Sequence, residues 1–211
     1  MTAQMNDKFV FRRGEYYVSA IEFPENFIDI YSLGFKPTEF STACWRGYIA
    51  TYSVYKKYLV LKNLYTNNGS DLKNEAPKLN NKFPKISIDK DWVSEETKTN
   101  RREFTYENIN LIIPYTGSVL ITRDFIWETY VHMGFQSPFN YKVVIQLSFN
   151  NGKYIISKDL SDIAKQIREK KLSIPEKNND DENYISNMLK WINDSFDISY
   201  STKVKGLLDS G

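Results

Sequence analysis

The chain is poor in the residues that carry most catalytic and metal chemistry. It has one histidine, His132, and one cysteine, Cys44, in 211 residues. A zinc site of the Cys/His kind needs three or four such ligands, and a disulfide within the chain needs two cysteines. A Ser-His-Asp or Cys-His device has only His132 to build on. There is no phosphate-binding glycine loop, no GxGxxG and no GxSxG. Charge of one sign is also lacking: 28 basic and 26 acidic residues leave a net charge of +2, which makes no case for nucleic acid or a membrane surface. The longest basic runs are pairs, Arg12-Arg13, Lys56-Lys57, Arg101-Arg102 and Lys170-Lys171. No apolar run approaches the ~18 residues that span a bilayer. The start, MTAQMNDKFVF, lacks the basic and apolar stretches of a secretory signal. With a lone cysteine this gives a cytoplasmic expectation.

What the chain does have is aromatic residues. They make up 15% of it, with 15 Tyr and 13 Phe, and these types favour pleated, half-buried surfaces. KFVFRRGEYYVSAIEF alternates around Gly14 and predicts a hairpin of 8–13 and 15–22. Residues 24–35 read as a short helix or turn between Pro24 and Gly34. CWRGYIATYSVY (44–55) and YLVLKNL (58–64) flank Lys56-Lys57 as a second hairpin whose turn type the residues leave open. The stretch 65–102 is polar, with one strand-like piece, FPKISI (83–88), and reads as a long exposed excursion. Strands are expected again at 103–114 and 118–126, and WETYVHMGF (127–135) follows. Residues 141–149 and 153–160 flank Asn150-Asn151-Gly152, a turn with positive φ.

The last 50 residues change period. SDIAKQIREKK (161–171) predicts a short helix with Ser161 as its N-cap, and DDENYISNMLKWINDSF (180–196) a longer one. Strands followed by helices imply α+β: a mostly antiparallel β sheet, as a curved sheet, sandwich or open barrel, with C-terminal helices packed on it. The expected organisation is a β-rich core over 1–160 carrying the 65–102 excursion, and a helical segment over 161–211 docked on the same domain.

Candidate site residues fall in two segments. In STACWRGY (41–48), Arg46 lies between Trp45 and Tyr48. A guanidinium can clamp a carboxylate or phosphate, or stack on an aromatic face. Read as a strand, Cys44, Arg46 and Tyr48 share one side, and Trp45 takes the other. Arg46 beside Cys44 suggests a lowered thiol pKa, set against the usual fate of a free cysteine as a small buried hydrophobe. In YVHMGF (130–135), Tyr130 and His132 share a strand face with Gly134. A catalytic His132 needs a nucleophile and an orienting carboxylate, for which Cys44 or a serine, and Glu128 or Asp124, are the candidates. The acidic groups Asp89/Asp91, Glu95/Glu96 and Asp180/Asp181/Glu182 lack calcium-loop spacing, so no metal and no cofactor is expected.

The WRGY and YVHMGF segments resemble a set of small bacterial proteins of unknown function, in which WRGY and a YVHxGF-type segment recur at similar separation. The resemblance covers about residues 8–160. It implies a bacterial origin and a shared β core around Trp45, Arg46, Tyr48, Tyr130 and His132, and it brings no catalytic residues. The expectation is therefore a non-enzymatic, cytoplasmic protein-binding module of the kind found among immunity and conflict-system proteins. Its contacts are placed on Trp45, Arg46, Tyr48, Trp92, Tyr130 and His132. Two alternatives stand beside it. One is an enzyme or small anionic-ligand binder using Arg46, His132 and Cys44. The other is a weak single-stranded nucleic-acid binder using Trp45-Arg46-Tyr48 and Arg101-Arg102.

Overall fold

The computed structural model describes residues 2–68, 76–93, 100–172 and 196–197. The described residues build one eleven-stranded, mostly antiparallel sheet with a helix behind it. Its elements are β1 (Lys8–Phe11), β2 (Gly14–Glu22), β3 (Tyr48–Tyr55), β4 (Tyr58–Asn67), β5 (Lys85–Val93), β6 (Asn100–Tyr106), β7 (Leu111–Ile112), β8 (Gly117–Phe125), β9 (Tyr141–Asn150), β10 (Lys153–Asp159), α1 (Ser161–Leu172) and β11 (Phe196–Asp197).

The strands follow the order β10-β9-β8-β2-β1-β3-β4-β6-β5. β1 and β3 pair in parallel, and every other ladder is antiparallel. β10 also meets β4, with Lys153 opposite Tyr58. The ladder of β10, β9, β8, β2, β1, β3 and β4 thus returns on itself, and a ring of strands encloses the core. Closing a sheet removes the exposed edges of the strands in the ring. β6 and β5 continue outward from β4 as a ribbon, so the 65–102 stretch holds more strand than its polarity suggests.

Alternation sends the large residues inward. Phe9, Tyr16, Val18, Tyr52, Leu59, Leu61, Leu64, Ile121, Leu147 and Phe149 form one buried cluster. Phe27 crosses from the loop after β2 and meets Tyr52 and Tyr115 edge to face at 4.9 and 5.0 Å. A second cluster lies on the outer face, where Ala164 and Ile167 of α1 cover Ala20, Leu120 and Val144. Arg168 fixes the helix by donating from Nη1 to the Phe139 and Tyr141 carbonyls at 2.8 and 2.6 Å.

Four expectations change. Ser161 is the first helical residue and not the cap. Leu160 accepts the first helical hydrogen bond, from Ala164 N, and the Ser161 N–H donates back to Asp159. Phe196, expected to end the longer helix, belongs to β11 and pairs with Glu22 of β2; residues 180–195 lie outside the described residues. Residues 44–47 are turn, not strand, because Gly47 sits at φ +66° against Thr38. A Cβ there would come within 2.0 Å of the Thr38 carbonyl oxygen. Residues 127–135 are a short 3-10 turn (Trp127–Thr129) followed by an irregular loop, so the alternation in YVHMGF is not that of a strand. Among the described residues no helix is long and apolar enough to cross a membrane.

Candidate functional site

Three segments distant in sequence meet outside β1. The chain before β1 runs beside the loop that follows β8: Ala3 bridges Gly134, and Gln4 N donates to the Gly134 carbonyl at 2.8 Å. On its other side Met5 N donates to the Ala43 carbonyl at 2.8 Å, and the Gln4 carboxamide ties Thr42 and Trp45. The WRGY and YVHMGF segments are thereby brought to the same region, with residues 2–5 between them.

Beneath this junction Arg46 is turned inward. Its guanidinium makes a two-pronged ion pair with Asp7, Nη1 to Oδ2 at 2.9 Å and Nη2 to Oδ1 at 3.0 Å. The two side chains are only 5% and 1% exposed. Nη2 also donates to the Met5 carbonyl at 3.1 Å. Asp7 accepts from Ala50 N at 2.9 Å and from the Tyr52 hydroxyl at 3.3 Å. Arg46 stacks between the rings of Tyr48 (4.6 Å) and Phe135 (5.5 Å). A buried pair holds only when its remaining donors and acceptors are met, and here backbone and phenol meet them. The arrangement is a rivet joining β1, β3 and two loops, and its guanidinium faces protein rather than solvent.

Cys44 lies under the same cover, with Sγ donating to the Tyr48 carbonyl at 3.5 Å. Burial pushes its thiol up and outweighs the opposing effect of Arg46. Burial likewise pushes the Tyr48 phenol up. A buried, protonated thiol is a poor nucleophile.

The outer side carries the remaining candidates. His132 is exposed and meets Tyr130 edge to face at 6.1 Å. Tyr130 lies 6.4 Å from both Trp127 and Phe125, and Phe125 lies 5.3 Å from Trp127 and 5.1 Å from Tyr141. Tyr141 in turn faces Tyr17 at 6.4 Å. The result is a continuous aromatic belt in which Trp127 is 76% exposed. Val131 and Met133 add exposed apolar surface, as do Met5 and Trp45 from the neighbouring segments. The loop that displays the belt is pinned. Buried Gln136 accepts from Val131 N at 2.9 Å and donates to the Val131 carbonyl at 2.6 Å, and Asn140 donates to the Thr129 carbonyl at 3.0 Å.

Of the residues singled out by sequence, Arg46, Tyr48 and Cys44 are thus interior, whereas Trp45, Tyr130 and His132 are outward. Trp92 falls in β5, on the outlying ribbon. Arg101 is interior too: it pairs with Asp89 at 2.5 Å, donates to the Glu39 carbonyl at 2.7 Å and lies over the Phe40 ring. Sequence reading missed Asp7, whose only signal was an acid placed just before an apolar strand. It missed Trp127, Phe125, Tyr17 and Tyr141, which reach each other only through the fold, and the clip residue Gln136. Among the described residues no group of three or more His, Cys, Asp and Glu is placed to hold a metal ion.

Comparison with protein-family models, with curated proteins and with solved structures finds no match.

Proposed function

We propose that this chain is a non-enzymatic protein-binding module, a bacterial cytoplasmic protein of the immunity or conflict-system kind, and that it engages its partner through the belt of Trp127, Tyr130 and His132. The bacterial setting rests on the resemblance of the WRGY and YVHMGF segments. The observation that carries the binding role is the belt itself: linked aromatic rings, one of them three-quarters exposed, on a loop clipped by Gln136. Tyr and Trp are the side chains that most often dominate binding energy at protein interfaces. A loop already held in one shape loses little entropy on docking. The inward commitment of Arg46 to Asp7 weighs against the anionic-ligand reading.

The test is affinity capture with the tagged full chain and with W127A/Y130A, each verified as folded by near-ultraviolet circular dichroism. A partner retained by the wild type and lost from the variant is expected, because two interface anchors together contribute on the order of 4 kcal/mol or more. Identical captured proteins from both, or none from either, would sink the proposal.

A further inference from the structure

The hairpin turns of this chain do not all use the residues that suit them. Asn151-Gly152, between β9 and β10, has φ values of +46° and +76°, and Asn80-Asn81 has +44° and +64°. Asn and Gly are the residues that adopt this left-handed geometry most readily. Arg12-Arg13 (+47°, +65°) and Lys56-Lys57 (+48°, +70°) adopt the same geometry with side chains that disfavour it. Strained backbone of this kind is a pointer to function when something else at the site agrees with it.

The placement agrees. β1 and β3 are parallel neighbours with Val10 opposite Ser53, so the two basic turns leave the sheet side by side and in the same direction. Tyr55 stands opposite Tyr58 across the lysine turn, and Lys153 of β10 stands opposite Tyr58 on the far side. Arg12 Nη2 donates to Ser157 Oγ at 3.2 Å, which ties the arginine turn to β10. Arg12, Arg13, Lys56, Lys57 and Lys153 are all exposed, and none forms an ion pair among the described residues. Glu15, opposite Val10, places one acidic side chain beside the arginine turn. Tyr55 and Tyr58 are 46% and 40% exposed, and Lys56 Nζ lies 5.4 Å from the centre of the Tyr55 ring. The near-zero net charge of the chain conceals this local excess of cations.

We propose that this basic rim binds single-stranded nucleic acid, with phosphates against the cations and bases stacked on Tyr55 and Tyr58. Cations that track a backbone, interleaved with accessible aromatic faces, are the common ground of sequence-tolerant single-strand binding. A duplex would offer only its phosphates and leave the tyrosines idle. The site uses none of the aromatic-belt residues and stands or falls apart from the protein-binding role.

The experiment is fluorescence anisotropy of the full chain with a labelled oligothymidylate of about 20 nucleotides, between about 50 and 200 mM salt. The wild type is expected to bind with log affinity falling linearly in log salt, about 0.7 for each phosphate neutralised. K56N/K57G gives the turn its preferred residues while removing two charges. It is expected to keep or raise Tm, weaken binding about tenfold and lower the salt slope by about 1.4. Y55A/Y58A should weaken binding with little change in that slope. Equal binding by wild type and K56N/K57G would overturn the proposal, as would absence of salt-dependent binding by the wild type. Association with anionic phospholipid vesicles but not with the oligonucleotide would also overturn it, by assigning the rim to a lipid surface.

Discussion

A single carboxylate organises the junction that sequence reading took for a binding site. Asp7 holds Arg46 in two hydrogen bonds and also receives Ala50 N and Tyr52, so it cannot be removed without leaving a buried guanidinium unpaired. Loss of one partner of such a pair costs about 3–5 kcal/mol. D7A and R46A should each lower the urea-unfolding free energy by about that amount, and the double variant should lose less than their sum. A second consequence concerns Tyr141, whose phenol burial pushes up to about 12 from its ordinary 10.0. The folded chain then keeps a proton that the unfolded chain has lost, so the stabilisation is complete below pH 10 and disappears between pH 10 and about 12. The urea midpoint should fall across that window, and Y141F should make the fall shallower, the remainder coming from the other buried phenols that burial pushes up. At this scale the sequence was legible in part. Arg46 stood out because aromatics flank it, but its partner lies 39 residues away and nothing local points there.

Elements follow their periodicity where one face is buried and depart from it where loops are tied by side chains. The hairpins and α1 were readable because alternation and the 3.6-residue repeat report directly on burial. Residues 127–135 were not, since YVHMGF alternates by composition while Gln136 and Asn140 bend the backbone into a loop. The turns yield a prediction of opposite sign to most substitutions. Arg13 at φ +65° bears a cost that glycine does not, so R13G should raise stability by about 0.5–1 kcal/mol, or a few degrees in Tm. In α1, Ile167 is fully buried against the outer face of the sheet. I167A should cost about 2–5 kcal/mol in denaturant unfolding, which would show that the helix is part of the cooperative unit.

For the whole molecule, ring closure is the property that local reading could not reach, because it depends on one contact between Lys153 and Tyr58. Gly152 permits that contact. It sits at φ +76°, and a Cβ there would come within 2.5 Å of the Ile113 carbonyl oxygen. G152A should therefore destabilise the chain by about 1–3 kcal/mol, read as a lower urea midpoint. The seam beside it is narrow: Leu59 N donates to Gly152 and Tyr154 N to Lys57, at 2.7 and 2.8 Å. A cylinder joined along so short a line behaves like a bracelet with a clasp. Amide protons at the clasp should exchange with solvent sooner than those of β8 and β9, which share a long ladder. Lys57 lies in the clasp and Lys153 stands opposite Tyr58 beside it, so an anion drawn to both would fasten the bracelet, and the slowing of exchange at Leu59 and Tyr154 would report its arrival.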